Sequence, residues 1–538
     1  MLTPRTLMVA GMVLLVATTL ALGQSAPSQI YSDPAPPSEA VLRRLNLRLA
    51  WQQAVPVDGL RDGLLLVEVH GKDLFVLTRA GMLVRMDAET GVVYWRKLVD
   101  RPYTTLPFLT FNSRSVFVIA NATLHSLERQ RGTTLWQIPL SGGIAVAPVV
   151  DEERAFTSMA DTRLNAYYLP RADGQEAEVR RIATSRGDRE LIARPFLLWT
   201  NLTYLPLSFQ PVLSASRLFT ITQDGQGLCL SKRPTETGLP KEVFRFRTES
   251  RILLPPVGFG DSAYIGTNNG VLYSLDLETG KTDWRYMAGS AVTRRPVITD
   301  EDVYLTTQDE GLARIDRISG EPAWHIPQGE TRVHGVVTAD RFLAVNNRFV
   351  YATDSAERLL VIDRKRGRIL SEYDASRFRF PVVNAVTDRL YLAANNGLIL
   401  CLHDRDQPEP ILHRKGLSKF VLNRLKQTII ETNLLEISVA NYLGQLSDKY
   451  ALQFRIADDA FKAAKVPNPR QVIVNVEGGT RTIRDSINRV LSRVPAHFDV
   501  VDETILILPG KGQPEKPEKP RPPAKKAPPK QEPEDPDK

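Results

Sequence analysis

The sequence predicts a mainly β protein, a propeller of four-stranded antiparallel blades, and three observations carry that expectation. A hairpin unit recurs at intervals of about forty residues, and its clearest copies place a tryptophan four residues after a glycine. Alternating apolar and polar residues mark strands almost without break from Leu45 to about His403. An orphan strand precedes the first unit, and the last unit stops before its fourth strand, so the two ends can complete one blade and remove two exposed edges.

The clearest copy is GVLYSLDLETGKTDW, Gly270 to Trp284. Leu272 and Leu275 bracket a strand in which Ser274 is small, Asp276 ends it, Thr279-Gly280 turns the chain, and Trp284 plants a ring in the next strand. Gly91 with Trp95, Gly132 with Trp136, and Gly320 with Trp324 repeat the arrangement. The tryptophans lie 41 residues apart from Trp95 to Trp136, and 40 apart from Trp284 to Trp324. Phe244 and Ser371 hold the tryptophan position in two degenerate copies. In the third unit, Arg163 to Leu169 leads to a fourth strand expected around Val179, with an insertion around residues 185–207. Asn269-Gly270 and Asn396-Gly397 are the dipeptides of two-residue hairpin turns, which need positive φ at both central residues.

Four strands per period of forty residues make propeller blades, since solenoid coils repeat faster or contain helices. The orphan strand LNLRLAWQQAV carries Trp51 where the other units carry theirs. Fourth strands are thus expected around Trp51, Trp95, Trp136, Val179, Phe244, Trp284, Trp324 and Ser371. The expectation is eight blades over residues 45–405, or seven if the third unit is not one.

The flanks read differently. Residues 1–23 have the form of a cleaved signal peptide: Arg5, an apolar run from Leu7 to Leu22, and small residues before Gln24. That run is short for a spanning helix, so the mature chain is expected to be exported without an integral membrane span. Residues 24–44 are a Pro- and Ser-rich flexible lead-in, and 406–427, with Pro408 and Pro410, a linker with a short helix. Residues 428–509 form a small α+β module, with Ser438 and Thr482 as helix N-caps. The nine prolines among charged residues in 510–538 predict a disordered, extended tail.

Composition limits the function. A net charge of +8 over 538 residues, with no basic stripe interleaved with aromatics, argues against nucleic acid as a partner. The two cysteines, Cys229 and Cys401, share the repeat position of Ser274 and read as separate buried thiols on opposite sides of the ring. No two histidines have short ligand spacing; His325 and His334 are the nearest pair, on either side of a turn. The acidic groups Asp300-Glu301-Asp302 and Asp309-Glu310 fall at expected hairpin turns, where carboxylates are solvated. No nucleophile elbow, Walker loop or dinucleotide fingerprint is present.

The motif formed by Gly270, Leu272, Leu275, Asp276, Thr279, Gly280 and Trp284 resembles the repeat of PQQ-like β-propellers, the superfamily of quinoprotein dehydrogenases and BamB-like subunits of outer-membrane assembly. The module at 428–509 resembles the secretin and TonB short N-terminal domain, which docks partners in the periplasm. Quinoprotein dehydrogenases are similar in holding a quinone on calcium at the propeller axis, with an aspartate base and often a disulfide of adjacent cysteines; that cysteine pair is missing here. BamB-like proteins are usually lipid-anchored, and no lipidation cysteine stands near the cut. The resemblance therefore implies a non-enzymatic scaffold of the periplasm or cell envelope, with envelope or outer-membrane proteins as partners, no cofactor, and no small-molecule ligand. The alternative is a PQQ-dependent dehydrogenase with a reduced active site. The repeat residues Trp51, Gly91, Trp95, Gly132, Trp136, Gly280, Trp284, Gly320 and Trp324 are assigned to blade packing, and no residue to catalysis or metal binding.

Overall fold

The structure is a computed structural model describing residues 34–510, apart from 58–60, 141–143, 145, 170–180, 183–188, 191–194, 329–330, 414–420, 423–424, 427, 433–434, 451, 477 and 502–503. The expected signal peptide, most of the lead-in, Val179, most of the linker helix and the tail lie outside the described residues. The chain divides into two compact units, one of residues 1–423 with 449–453, the other of 424–448 with 454–538.

The first unit is a succession of antiparallel sheets. Seven of four strands each span 64–98, 105–139, 149–202, 212–247, 257–287, 297–337 and 341–374. An eighth sheet pairs Leu390–Ala393 and Leu398–Asp404 with the N-terminal strand Leu47–Ala54, in a register that sets Trp51 opposite Cys401. First strands of successive sheets touch one another, so they surround the axis and the fourth strands form the rim. Second strands such as Asp73–Thr78 are buried along their whole length, because each sheet is covered on both faces by neighbours. The rim strand Val93–Leu98 instead alternates half-buried and exposed residues.

Apolar side chains gather in separate clusters, each between two consecutive sheets. One joins the eighth sheet to the first, with Trp51, Tyr391 and Cys401 against Val67, Leu74 and Val84. Another, with Leu42, Leu45 and Leu47, joins the seventh to the eighth. Leu42 lies on helix α1 (Glu39–Arg44), N-capped by Ser38, so the end of the lead-in is helical and packed rather than flexible. Asn46 then donates to the buried Asp404 at 2.9 Å, and Asn346 and Arg348 of the seventh sheet reach the same carboxylate at 2.9 and 2.7 Å.

Two sheets depart from the expected pattern. In the third, the rim strand is Phe196–Leu202, and Trp199 faces Ala166 as Trp284 faces Ser274. The insertion precedes that strand and contains a small hairpin of Arg181–Ile182 with Arg189–Glu190, so the forty-residue count stopped too early. In the sixth, the rim strand breaks after Trp324 and resumes at Val336. Between them a hairpin, His325–Gln328 with Thr331–His334, is extruded, and His325 stands opposite His334.

The second unit is α+β. A ribbon pairs Ile429–Thr432 with Gly479–Thr482 and Leu435–Ser438 with Ile473–Val476, while a three-stranded sheet orders Gln453–Ile456, Thr504–Pro509 and Ala496–Val501. Helices α2 (Val439–Tyr450), α3 (Asp458–Ala463) and α4 (Ile483–Leu491) complete it. Val439, Tyr442, Leu443 and Leu446 of α2 and Ile483, Ile487, Val490 and Leu491 of α4 are buried, as helical spacing requires. Ser438 and Thr482 cap α2 and α4 by accepting from Asn441 N and Asp485 N.

Candidate interaction face

The repeat residues form joints between sheets. The Trp284 indole N–H donates to the Arg317 carbonyl of the next sheet at 3.0 Å, and its ring lies against Gly320, where a Cβ would come within 2.6 Å of it. Trp95 does the same with Arg129 O and Gly132, Trp51 with Ala88 O and Gly91, and Trp324 with Arg364 O and Gly367. Phe244 packs on Gly280 without the hydrogen bond. Each glycine has positive φ, +71° at Gly91 and +74° at Gly320, and closes a turn in which Asp87 or Asp316 Oδ1 accepts from two backbone N–H groups. Trp136 packs on Phe117 of its own sheet, and Trp199 is fully buried with its N–H unpaired. The sequence spacing found every rim tryptophan except Trp199, whose neighbouring insertion hides it.

These joints lie on the side where the glycine turns project, here called the turn face. Ion pairs reinforce it across sheet boundaries. Asp73 holds Arg129, Asp302 holds Arg364, and with the charges exchanged Arg217 holds Glu278 and Arg389 holds Glu89, all within 2.7–3.0 Å. Asp302, expected at a solvated turn, is thus buried and paired. Residues 405–413 do not form a free linker. They run back over this face: Ile411 N donates to Asp388 Oδ1 at 3.0 Å, Thr387 bridges Leu412, and His413 O accepts from Asp300 N. His413 Nε2–H donates to Val345 O at 2.6 Å. This strap touches the eighth, seventh and sixth sheets in turn, and burial lowers the His413 pKa to about 4.

The opposite side, the loop face, carries the turns between second and third strands and the crossovers between sheets. Only glycine takes the left-handed conformation in its Asn-Gly turns, with φ of +82° at Gly270 and +92° at Gly397. Gly270 N donates to Thr267 O, so the turn is a three-residue loop rather than the expected two-residue one. Large apolar side chains stand exposed here on consecutive sheets: Leu202 and Tyr204 after the third, Leu253 after the fourth and Met287 at the end of the fifth, with Tyr204 82% and Met287 68% exposed. Beside them an open pocket of about 410 Å³ is lined by Asp224, Arg247, Thr248, Glu249, Ser250 and Arg251. Arg251 pairs with Asp224 at 3.3 Å and Arg285 with Glu249 at 2.8 Å. At the glycine turns Val92, Leu239 and Ile318 are exposed on the first, fourth and sixth sheets, and Ile369 and Leu370 follow the Gly367 turn on the seventh.

Cys229 and Cys401 are free and buried, and burial pushes the Cys229 thiol up to about 12, so both sit as unreactive core groups. Among the described residues, no three His, Cys, Asp or Glu side chains converge as metal ligands would.

Residues 241–430 match the family described as outer membrane protein assembly factor BamB. The chain is a PQQ-like, BamB-like repeat protein. BamB of Moranella endobia (strain PCIT) is 22% identical over 344 residues, 61% of this chain and 82% of its own length. BamB of Shewanella oneidensis is 22% identical over 401 residues, 70% of this chain and 94% of its own. A crystal structure of BamB from Moraxella catarrhalis, 15% identical, covers 66% of this chain and 97% of that one at a TM-score of 0.46. The BamB match begins in the rim strand of the fourth sheet and runs through the fifth to eighth sheets; the third sheet, with its insertion, lies before it.

Proposed function

We propose that this chain is an exported, non-enzymatic interaction scaffold of the bacterial envelope, BamB-like in architecture, which binds an outer-membrane or envelope assembly protein through its loop face. The observation that carries the reading is the exposed apolar row Leu202, Tyr204, Leu253 and Met287 beside a rim of charged residues, on the side that the strap leaves open. An apolar centre with a polar rim is the anatomy of a protein interface, and a row drawn from three consecutive sheets differs from scattered surface side chains. The similarity to outer membrane protein assembly factors supports the choice of partner class. In this reading the module at 428–509 acts as a second docking element, like the secretin and TonB short domain, and residues 510–538 as a solvated spacer.

The test is a double variant, Tyr204→Asp with Met287→Asp, in the full chain. It is expected to lower recovery of outer-membrane assembly proteins on the tagged scaffold by at least about tenfold, since buried interface anchors typically carry 2 kcal/mol or more. Its melting temperature should stay unchanged. Unchanged recovery, or a shift of several degrees with dye-linked alcohol oxidation when PQQ and calcium are added to the wild-type chain, would contradict the scaffold reading.

A further inference from the structure

The apolar row of the loop face contains one side chain with chemistry of its own. Met287 ends the fifth rim strand, Thr282–Met287, opposite Val271 at the start of the third strand. The same register position is exposed in five other sheets, where it holds Leu98, Pro139, Leu202, Arg247 and Asp374. A place that accepts proline, arginine and aspartate makes no packing demand, so the fold does not require a thioether there. The strand itself is well held, because Tyr286, next to Met287, is buried against the sixth sheet. Arg285 and Met287 lie on the opposite, outward side, two residues apart. Arg285 pairs with Glu249 at 2.8 Å and lies over the Tyr273 ring, so this side faces the crossover from the fourth to the fifth sheet that carries Leu253.

Met287 is 68% exposed, whereas Met82 is half-buried and Met86 and Met159 are 0% and 1% exposed. Among the described residues it is the one methionine open to solvent, and it is the one sulfur in the row of Leu202, Tyr204, Leu253 and Met287. An exposed thioether takes an oxygen atom from a peroxide. The sulfur lone pair attacks one peroxide oxygen, and the S–O bond forms as the O–O bond breaks. The other oxygen takes up the proton of the transferred one and leaves as water. Sulfur thereby gives up two electrons, and the peroxide is reduced. The product is a polar sulfoxide in place of a flexible apolar side chain, a change that disrupts methionine contacts at interfaces. Met86 and Met159 are shielded by the packing between sheets, so oxidation confined to Met287 leaves the ring intact.

We propose that Met287 is a peroxide-sensitive modification site whose reversible oxidation to the sulfoxide weakens docking at the loop face, an inference that rests on the scaffold reading above. In the test the full tagged chain is treated with hydrogen peroxide, freed of it, and then mixed with envelope extract. Peptide mass spectrometry should show the sulfoxide at Met287 at peroxide doses that leave Met86 and Met159 reduced, with the melting temperature unchanged. Recovery of outer-membrane assembly proteins should fall by about fivefold or more, the scale on which one interface side chain acts. It should return when methionine sulfoxide reductase and a dithiol remove the added oxygen as water, the dithiol being oxidised to a disulfide. Recovery by Met287→Leu should be the same before and after treatment. Oxidation of Met86 or Met159 ahead of Met287, or equal recovery by oxidised and untreated wild type, would overturn the proposal while leaving docking in place. So would a fall in treated Met287→Leu as large as that of wild type. Recovery absent from both untreated chains would instead refute the docking reading, and the switch with it.

Discussion

Trp51, Trp95, Trp284 and Trp324 each join two sheets in two ways: the ring fills the space over a left-handed glycine, and the N–H donates to a backbone carbonyl of the next sheet. Burial ranks these joints. Trp324 is 1% exposed, whereas Trp284 is only half-buried. Trp324→Ala is therefore expected to cost about 3–5 kcal/mol in urea unfolding, and Trp284→Ala measurably less. A near-zero loss at Trp324 would contradict the packing assignment. Gly320→Ala attacks the same joint from the other side. Its φ of +74° and a Cβ within 2.6 Å of Trp284 combine backbone strain with overpacking, expected to total about 2–4 kcal/mol. At this scale the sequence was highly legible, because the glycine and the tryptophan are fixed by contact geometry and cannot drift. Tyr204 and Met287 were not legible. An apolar residue at the end of a rim strand has the same letters as a core residue, and only its place in the ring exposes it.

Among the elements, the four-stranded units and the helices of the second unit followed from period and caps, while the strap did not. Pro408 and Pro410 punctuate residues 404–413 as a linker would be punctuated, yet Pro408 O accepts from Arg389 and Ile411 N reaches Asp388. Those partners come from other elements, which local patterning does not encode. The strap has a pH signature. His413 titrates near about 4 in the folded chain because burial opposes its charge, helped by Arg364 and opposed by the Val345 carbonyl, Glu301 and Asp302. Unfolded histidine titrates near about 6.5. The stabilisation is thus fully present above that value and is lost as pH falls from about 6.5 towards about 4, by at most about 3 kcal/mol. The protection factors of the Ile411 and His413 amides, corrected for the intrinsic pH dependence of exchange, should fall between pH 7 and 5 in wild type, and His413→Gln should remove most of that fall. Protection factors independent of pH in the wild-type chain would contradict the buried neutral imidazole.

For the whole molecule, closure by the N-terminal strand was readable because both ends of the repeat were incomplete, and Trp51 carried the register. The third sheet resisted, since its insertion between third and rim strands broke the forty-residue count and concealed Trp199. Function was the least legible level. The repeat specifies a ring, whereas Leu253 and Met287 are far apart in sequence and come onto one face only when sheets are placed side by side. The ring of sheets has two unlike faces, one built of glycine turns, ion pairs across sheet boundaries and the strap, the other of loops that carry the apolar row. Site-specific photocrosslinking in the native envelope tests that asymmetry most directly, with the reactive group placed at Tyr204, Leu253 or Met287 on the loop face and at Val92 or Ile318 on the turn face. The scaffold account predicts crosslinks to an outer-membrane assembly protein from the first set and none from the second. Equal crosslinking from both faces, or crosslinking from the turn face alone, would contradict it.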